Sequence, residues 1–268
     1  MDAYRLKNIT ILILVILNLF LLGIWGRHLW QDRSSQRRME QELRQFCSDQ
    51  GLHLAEDIDL VPPPHASLSL NRSLEAEAQM AAFILEEEVA AQDEGGGIYS
   101  YTGRLGTVRF RSNGTFSYTP RNHPVSSSEA MSNSFCDTFG YDITLRNHSE
   151  QEEILTATQI ADGKSVYNSF VTFLFTDGKL TSLSGTYISP TDSTILRENT
   201  VTRTTALVRI LDYLLPSGMI FSELVSIHPV YELQSTAASP LQLAAKWEIT
   251  TDTGRFYVDC STGAITRG

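Results

Sequence analysis

Six histidines, three cysteines and a few carboxylate clusters are the residues of this chain best suited to chemistry, and their spacing assembles no catalytic motif. His28, His53, His65, His123, His148 and His228 stand singly, with neither a His-Glu-x-x-His pattern nor a pair at helical metal-ligand spacing. Gly163-Lys164-Ser165 looks like the end of a phosphate-binding loop, but Thr158 stands where that loop needs its first glycine, so the segment reads as a turn. Glu86-Glu87-Glu88 and Asp93-Glu94 lack the alternating oxygen ligands and closing glutamate of a calcium loop and read as a solvated helix end. Gly-x-Ser-x-Gly and Ser-x-x-Lys are missing from any strand-turn-helix context. Asn113-Gly114-Thr115 and Asn147-His148-Ser149 match a glycosylation pattern, although a turn already accounts for the first. The expectation is a protein that is not an enzyme, with no catalytic, cofactor-binding or metal-binding residues.

The polar residue that stands out is Asn18. It lies inside Ile9–Trp25, a run without charge whose only other polar side chain is Thr10. At 1.5 Å per residue the run reaches about 26 Å as a helix, and about 30 Å with its flanks, enough to cross a bilayer once. It is too long for a secretory signal, and bulky Trp25, Leu29 and Trp30 fill the places where a cleavage site needs small residues. Lipid satisfies no amide, so Asn18 wants a partner helix; Leu14, Val15, Leu21 and Leu22 share its face, making Leu14, Val15, Asn18, Leu21 and Leu22 the candidate transmembrane contact. Arg5 and Lys7 precede the span and Arg27, Arg33, Arg37 and Arg38 follow it, so charge alone leaves the topology open.

The chain has 268 residues, with 21 Lys plus Arg against 31 Asp plus Glu. Six of the bases and two of the acids fall in the first 38 positions, leaving 15 bases against 29 acids and a charge near −14. Such a surface repels phosphate backbones and argues against nucleic acid, while the basic flank suits anionic headgroups of the lipid bilayer. Cys47, Cys136 and Cys260 form no Cys-x-x-Cys pair; each reads as a small buried hydrophobe, with a Cys47–Cys136 bridge left open.

The elements beyond the span repeat. Phe46-Cys47 with Gly51-Leu52 and Leu54 recurs as Phe135-Cys136 with Gly140-Tyr141 and Ile143, a helix stopped by glycine and followed by a strand. Hairpins are predicted at Asn113-Gly114 and Asp177-Gly178, with primed turns, and a third, with a slightly longer turn, between Trp247 and Phe256. Helices are predicted from Asp32 to Phe46, from Ser73 (as cap) to Ala91 with Leu74, Ala78, Ala81, Ala82 and Leu85 on one face, and from Asn199 to Leu215 with Val201, Ala206, Leu207, Ile210, Leu211 and Leu214 inward. A further short helix or turn is expected over Ser217–Ser226, and loops at Val61–His65 and Asp93–Gly97. The fold class is α+β: one N-terminal transmembrane helix, then a two-lobed ectodomain of antiparallel β-meanders with helices on one face, joined near Thr119–Ser126.

Met1-Asp2, the span segment Ile16-Leu17-Asn18-Leu19-Phe20-Leu21-Leu22, and the ending Ala244-Ala245-Lys246-Trp247-Glu248-Ile249 with Phe256 to Ile265 together resemble the YycI-type regulators of Gram-positive bacteria. The ending also looks like a PepSY-type hairpin, an aromatic strand leading through a Thr-Gly turn to a last short strand. The likeness extends over most of the chain in layout, with specific motifs only at the ends. Departures are Ala3 where the family commonly has Trp, Asn18 where an acidic residue is frequent, and three cysteines. The resemblance implies a single-pass cell-membrane protein: a cytoplasmic tail (1–8), a transmembrane helix (9–26), a juxtamembrane helix or linker (27–44), a first α+β repeat (45–122) and a second lobe with the PepSY-like hairpin (123–268). It further implies an extracytoplasmic domain that works with a YycH-like membrane regulator on a WalK-like sensor histidine kinase, YycG, of a two-component system controlling the cell wall. The alternative is an anchored PepSY-like module that inhibits a secreted peptidase or binds a wall component.

Overall fold

The described helices begin at side-chain caps or stop at left-handed residues. A computed structural model of the chain describes residues 41–49, 51–55, 65–121, 128–189, 193–197, 201–219, 221–236 and 239–268. The predicted span and its Leu14, Val15, Asn18, Leu21 and Leu22 face lie outside them, and no described helix is long and apolar enough to cross a membrane.

The first helix, α1 (41–49), stops where Leu52 N–H reaches back to the Cys47 carbonyl at 2.8 Å and Gly51 takes a φ of 72°. That left-handed residue releases the chain into strand β1 (His53–Leu54). The pattern recurs at α3 (Ser128–Phe139), Gly140 (φ 71°) and β7 (Tyr141–His148), as the repeated sequence predicts. Helix α2 (Leu74–Leu85) is capped by Ser73, whose hydroxyl accepts from Ala76 N–H, and α4 (Arg203–Leu214) by Thr202. The expected α4 face is buried residue for residue. Helix α2 ends before the expected Ala91 because Glu86 turns left-handed (φ 55°). Its buried stripe is also rotated onto Glu77, Met80, Ala81, Ile84 and Leu85, leaving Leu74 exposed.

The strands are β2 (Ser67–Leu70), β3 (Gln92–Gly95), β4 (Ile98–Thr102), β5 (Gly106–Phe110), β6 (Thr115–Pro120), β8 (Glu152–Ala161), β9 (Lys164–Thr176), β10 (Lys179–Thr186), β11 (Ser193–Arg197), β12 (Glu223–Thr236), β13 (Ser239–Thr251), β14 (Gly254–Asp259) and β15 (Ile265–Arg267). All three expected hairpins form, with different turns. Asp177-Gly178 is a primed turn with φ of 50° and 70°. At Asn113-Gly114 only Gly114 is left-handed, because Asn113 works through its side chain, accepting from Thr115 N–H at 3.1 Å and from the Thr115 hydroxyl at 2.7 Å. The third turn is shorter than expected, only Asp252-Thr253 separating the paired Thr251 and Gly254. Asp93–Gly95, the start of the expected Asp93–Gly97 loop, instead belongs to strand β3, and the chain turns at Pro216–Gly218 but is already strand β12 from Glu223.

Two sheets share β9. In the first, antiparallel throughout, the order is β7-β8-β9-β10-β6-β5-β4-β3. In the second, β11-β2-β13-β12 meets the start of β9 through one parallel pair, Tyr231 with Val166; β1 lies parallel on β12, and β14 and β15 continue from β13. Helices α2 and α3 cover one face of the first sheet, where Met80, Ile84 and Leu85 share a core with Tyr101, Val108, Phe110, Phe135 and Phe173. Helices α1 and α4 cover the second, packing Leu43, Cys47, Leu207, Ile210 and Leu211 with Trp247, Ile249, Phe256 and Val258. The fold is thus α+β and mainly antiparallel, with four helices among the described residues. The two cores divide the chain differently from a 45–122 and 123–268 split, since β1 and β2 pair with β12 and β13 far along the chain. Cys47 and Cys260 lie in one core and Cys136 in the other, all three free and buried.

Candidate functional site

Both sheets bury one face under helices, and their other faces meet in a cleft of about 490 Å³ at the β8–β9 turn. The first sheet contributes Asp142, Thr144, Thr158 and Ile160; the second contributes His228, Val230, Glu248 and Arg255, and β9 adds Lys164 and Tyr167. Strand alternation explains this assembly: Ile227, Ile249 and Phe256 pair across three strands into the core, so the next register, His228, Glu248 and Tyr257, points the other way.

The floor of this face is a charge network. Tyr167 Oη donates to Glu232 Oε1 at 2.6 Å, while Lys246 Nζ (2.9 Å) and Gln234 Nε2 (2.7 Å) reach Glu232 Oε2. Burial alone would raise the Glu232 carboxyl, but these three donors outweigh it and hold the group below its ordinary value. Burial, then the bond to Glu232, pushes the Tyr167 phenol well up, so it stays a donor. Tyr167 stacks on Tyr257 with ring centroids 3.9 Å apart and 13° between planes. The Asn168 amide extends the short β9–β12 pairing, donating to the Leu233 carbonyl at 2.9 Å and accepting its N–H at 2.7 Å. Arg255 and Glu248 sit 3.7 Å apart at the rim. The cleft therefore presents fixed charges, hydroxyls and a stacked tyrosine pair, a surface suited to recognition of a polar chain.

Beside it, the uncovered face of the first sheet carries Leu145, Ile154 and Phe170, all more than a third exposed, among threonines of β7, β8 and β9. Sequence reasoning missed this surface. For the Glu232 network on the second sheet the signal was there in Lys246, a charge inside the apolar run Leu243-Ala244-Ala245-Lys246-Trp247, which marks a strand with one face away from the core.

The other sequence candidates are dispersed. His65 is buried against Tyr231 and Trp247, with Nε2 2.8 Å from the Val230 carbonyl; burial pushes its imidazole down to about 4, against the opposing pull of that hydrogen bond. His228 lines the cleft, and His53 and His148 are exposed on β1 and β7. His28 and His123 lie outside the described residues. Gly163-Lys164-Ser165 belongs to the β8–β9 turn, with Asp162 and Gly163 both left-handed (φ 49° and 67°). Glu86 caps α2, Glu87 accepts from Arg104 N–H, and Glu94 pairs with Arg109 at 3.2 Å. Among the described residues no three His, Cys, Asp or Glu side chains come together as a metal site would need.

No protein-family model matches the chain, and no curated protein matches it either. Among solved structures, an uncharacterized protein from Eubacterium rectale ATCC 33656 is similar over 77% of this chain and 86% of its own, at 10% identity and a TM-score of 0.44. The C-terminal domain of Bacillus megaterium YpeB is similar over 74% of this chain and 98% of its own, at 10% identity and a TM-score of 0.35. Likenesses this distant carry no argument about what this chain does.

Proposed function

We propose that the chain is a membrane-anchored extracytoplasmic regulator that acts by contact on a WalK-like sensor histidine kinase, alongside a YycH-like membrane protein. The observation that carries the reading is the surface built by the two sheets: a charged cleft continuous with an exposed apolar face bearing Leu145, Ile154 and Phe170. A contiguous exposed apolar patch rimmed by polar side chains is a common mark of a docking surface. In this reading Ile9–Trp25 is the anchor, and Leu14, Val15, Asn18, Leu21 and Leu22 form a second contact within the membrane. The test replaces residues 9 to 25 by an unrelated apolar span and measures kinase output in cells. Altered output is expected; unchanged output would sink the proposal.

A second reading is an anchored PepSY-like module that masks a secreted peptidase or binds a wall component. It is favoured by a repeated order, helix then antiparallel strands, in α3-β7-β8-β9-β10 and in α4-β12-β13-β14-β15, the latter closing through Thr262-Gly263. Under it the same span replacement leaves output unchanged wherever the domain stays anchored.

A further inference from the structure

We infer that β7 is a docking edge: an extended, basic polypeptide segment adds to it as a further antiparallel or parallel strand of the first sheet. The inference rests on the reading of the ectodomain as a contact domain and names how that contact is made.

Three observations converge on this edge. Strand β7 runs for eight residues and pairs on one side only, with β8; among the described residues its other side has no partner strand. Alternate residues of such an edge direct N–H and C=O groups outward, so the occupant that satisfies them is another extended backbone. Every residue from Asp142 to His148 is exposed, Leu145 by 50% and Ile143 by 37%. The irregularity at Thr144 explains why both are visible. Ile143 pairs with Ala157, which is buried on the helix side, whereas Leu145 pairs with Thr156 on the opposite face. An extra residue between them moves Leu145 to the uncovered face, so the edge offers one apolar contact on each side of an added strand.

Charge selects among possible segments. Arg146 lies 3.8 Å from Glu153 and offsets it. That leaves exposed Asp142, Glu150, Glu152 and Asp177 around the edge against Lys179, Asp177 N–H bonding the Gln151 carbonyl so that the two turns abut. A segment flanked by Lys or Arg is favoured and an acidic one is repelled. Asp142 and Thr144 also line the cleft, so edge and cleft form one surface.

The test uses the full chain in detergent micelles and a synthetic peptide, acetyl-Lys-Lys-Val-Val-Thr-Val-Thr-Lys-Lys-amide, followed by hydrogen exchange of residues 141–148. At saturating peptide the outward β7 amides should exchange about tenfold more slowly. The same peptide N-methylated at alternate positions should give no protection, since it cannot pair as a strand. A peptide with Glu in place of each Lys should bind at least about tenfold more weakly. Leu145→Lys, at a site exposed enough to leave folding intact, should weaken the basic peptide by a similar factor. Unchanged exchange at millimolar peptide, equal protection by the N-methylated form, or indifference to the Glu-for-Lys peptide or to Leu145→Lys overturns the proposal. These readouts involve no kinase, so a failure of the edge is distinguishable from a failure of the regulator reading, which the span replacement tests.

Discussion

Buried His65 should make a separable contribution to the acid destabilisation of this fold. The ring is 4% exposed, packed against Tyr231 with centroids 4.6 Å apart, and burial pushes its imidazole from the ordinary 6.5 down to about 4. At pH 7 the ring is neutral in both folded and unfolded chains. As pH falls through 6.5 the unfolded chain takes up a proton that the folded one refuses until about pH 4, so the unfolded state binds more protons and stability drops across that window. At about 1.4 kcal/mol per pH unit the loss approaches about 3 kcal/mol by pH 4. Urea unfolding at a series of pH values measures it, with buried Trp247, 6.1 Å from the ring, as a fluorescent reporter. Carboxylates such as Glu232 and Asp259, held below their ordinary values, also lose stability at low pH, so the quantity to follow is the difference between the natural chain and His65→Gln. That difference should change by about 3 kcal/mol between pH 7 and 4. A flat difference would refute the burial argument.

Three further outcomes follow from the packing. Arg72 makes a bidentate pair with nearly buried Glu77 at 2.6 and 3.0 Å and also donates to the Gly97 carbonyl, so Arg72→Leu should cost about 3–5 kcal/mol in denaturant unfolding, and adding Glu77→Leu should restore more than half. Tyr167→Phe removes one donor to Glu232 while Lys246 and Gln234 remain, and should cost about 1.5 kcal/mol in the same assay, without loss of fold by circular dichroism. The three thiols are buried, with Cys47 raised, Cys136 pushed up to about 11 and Cys260 to about 12 by burial first, so a disulfide reagent at pH 8 should label none in the native protein and all in urea.

Much of the secondary structure was legible because its causes are local. Ser73 caps α2 within three residues, Gly51 and Gly140 stop helices through their own backbone freedom, and the α4 face follows a 3.6-residue period over Val201 to Leu214. The misjudged details have local causes of another kind. Glu86 adopts a left-handed conformation that glutamate seldom takes, and Asn113 satisfies its turn by side chain rather than by positive φ. The cleft and the uncovered sheet face were less legible, since a strand's pattern shows that it has two faces and leaves open what each one meets.

By itself, then, the sequence determined where the helices and hairpins form, that an uncharged run containing Asn18 precedes an acidic domain, and that Cys47 and Cys136 sit in equivalent helical places. Tertiary structure alone decided that β1 and β2 cross to β12 and β13, that Cys47 and Cys136 fall in separate cores, that Lys246 and Tyr167 converge on Glu232, and that β7 is left as an edge. The reason is range. Caps, turns and helical faces are settled by neighbours within about four residues, whereas sheet order and the meeting of two open faces depend on pairings more than a hundred residues apart, such as Ser67 Oγ accepting the Ala245 N–H.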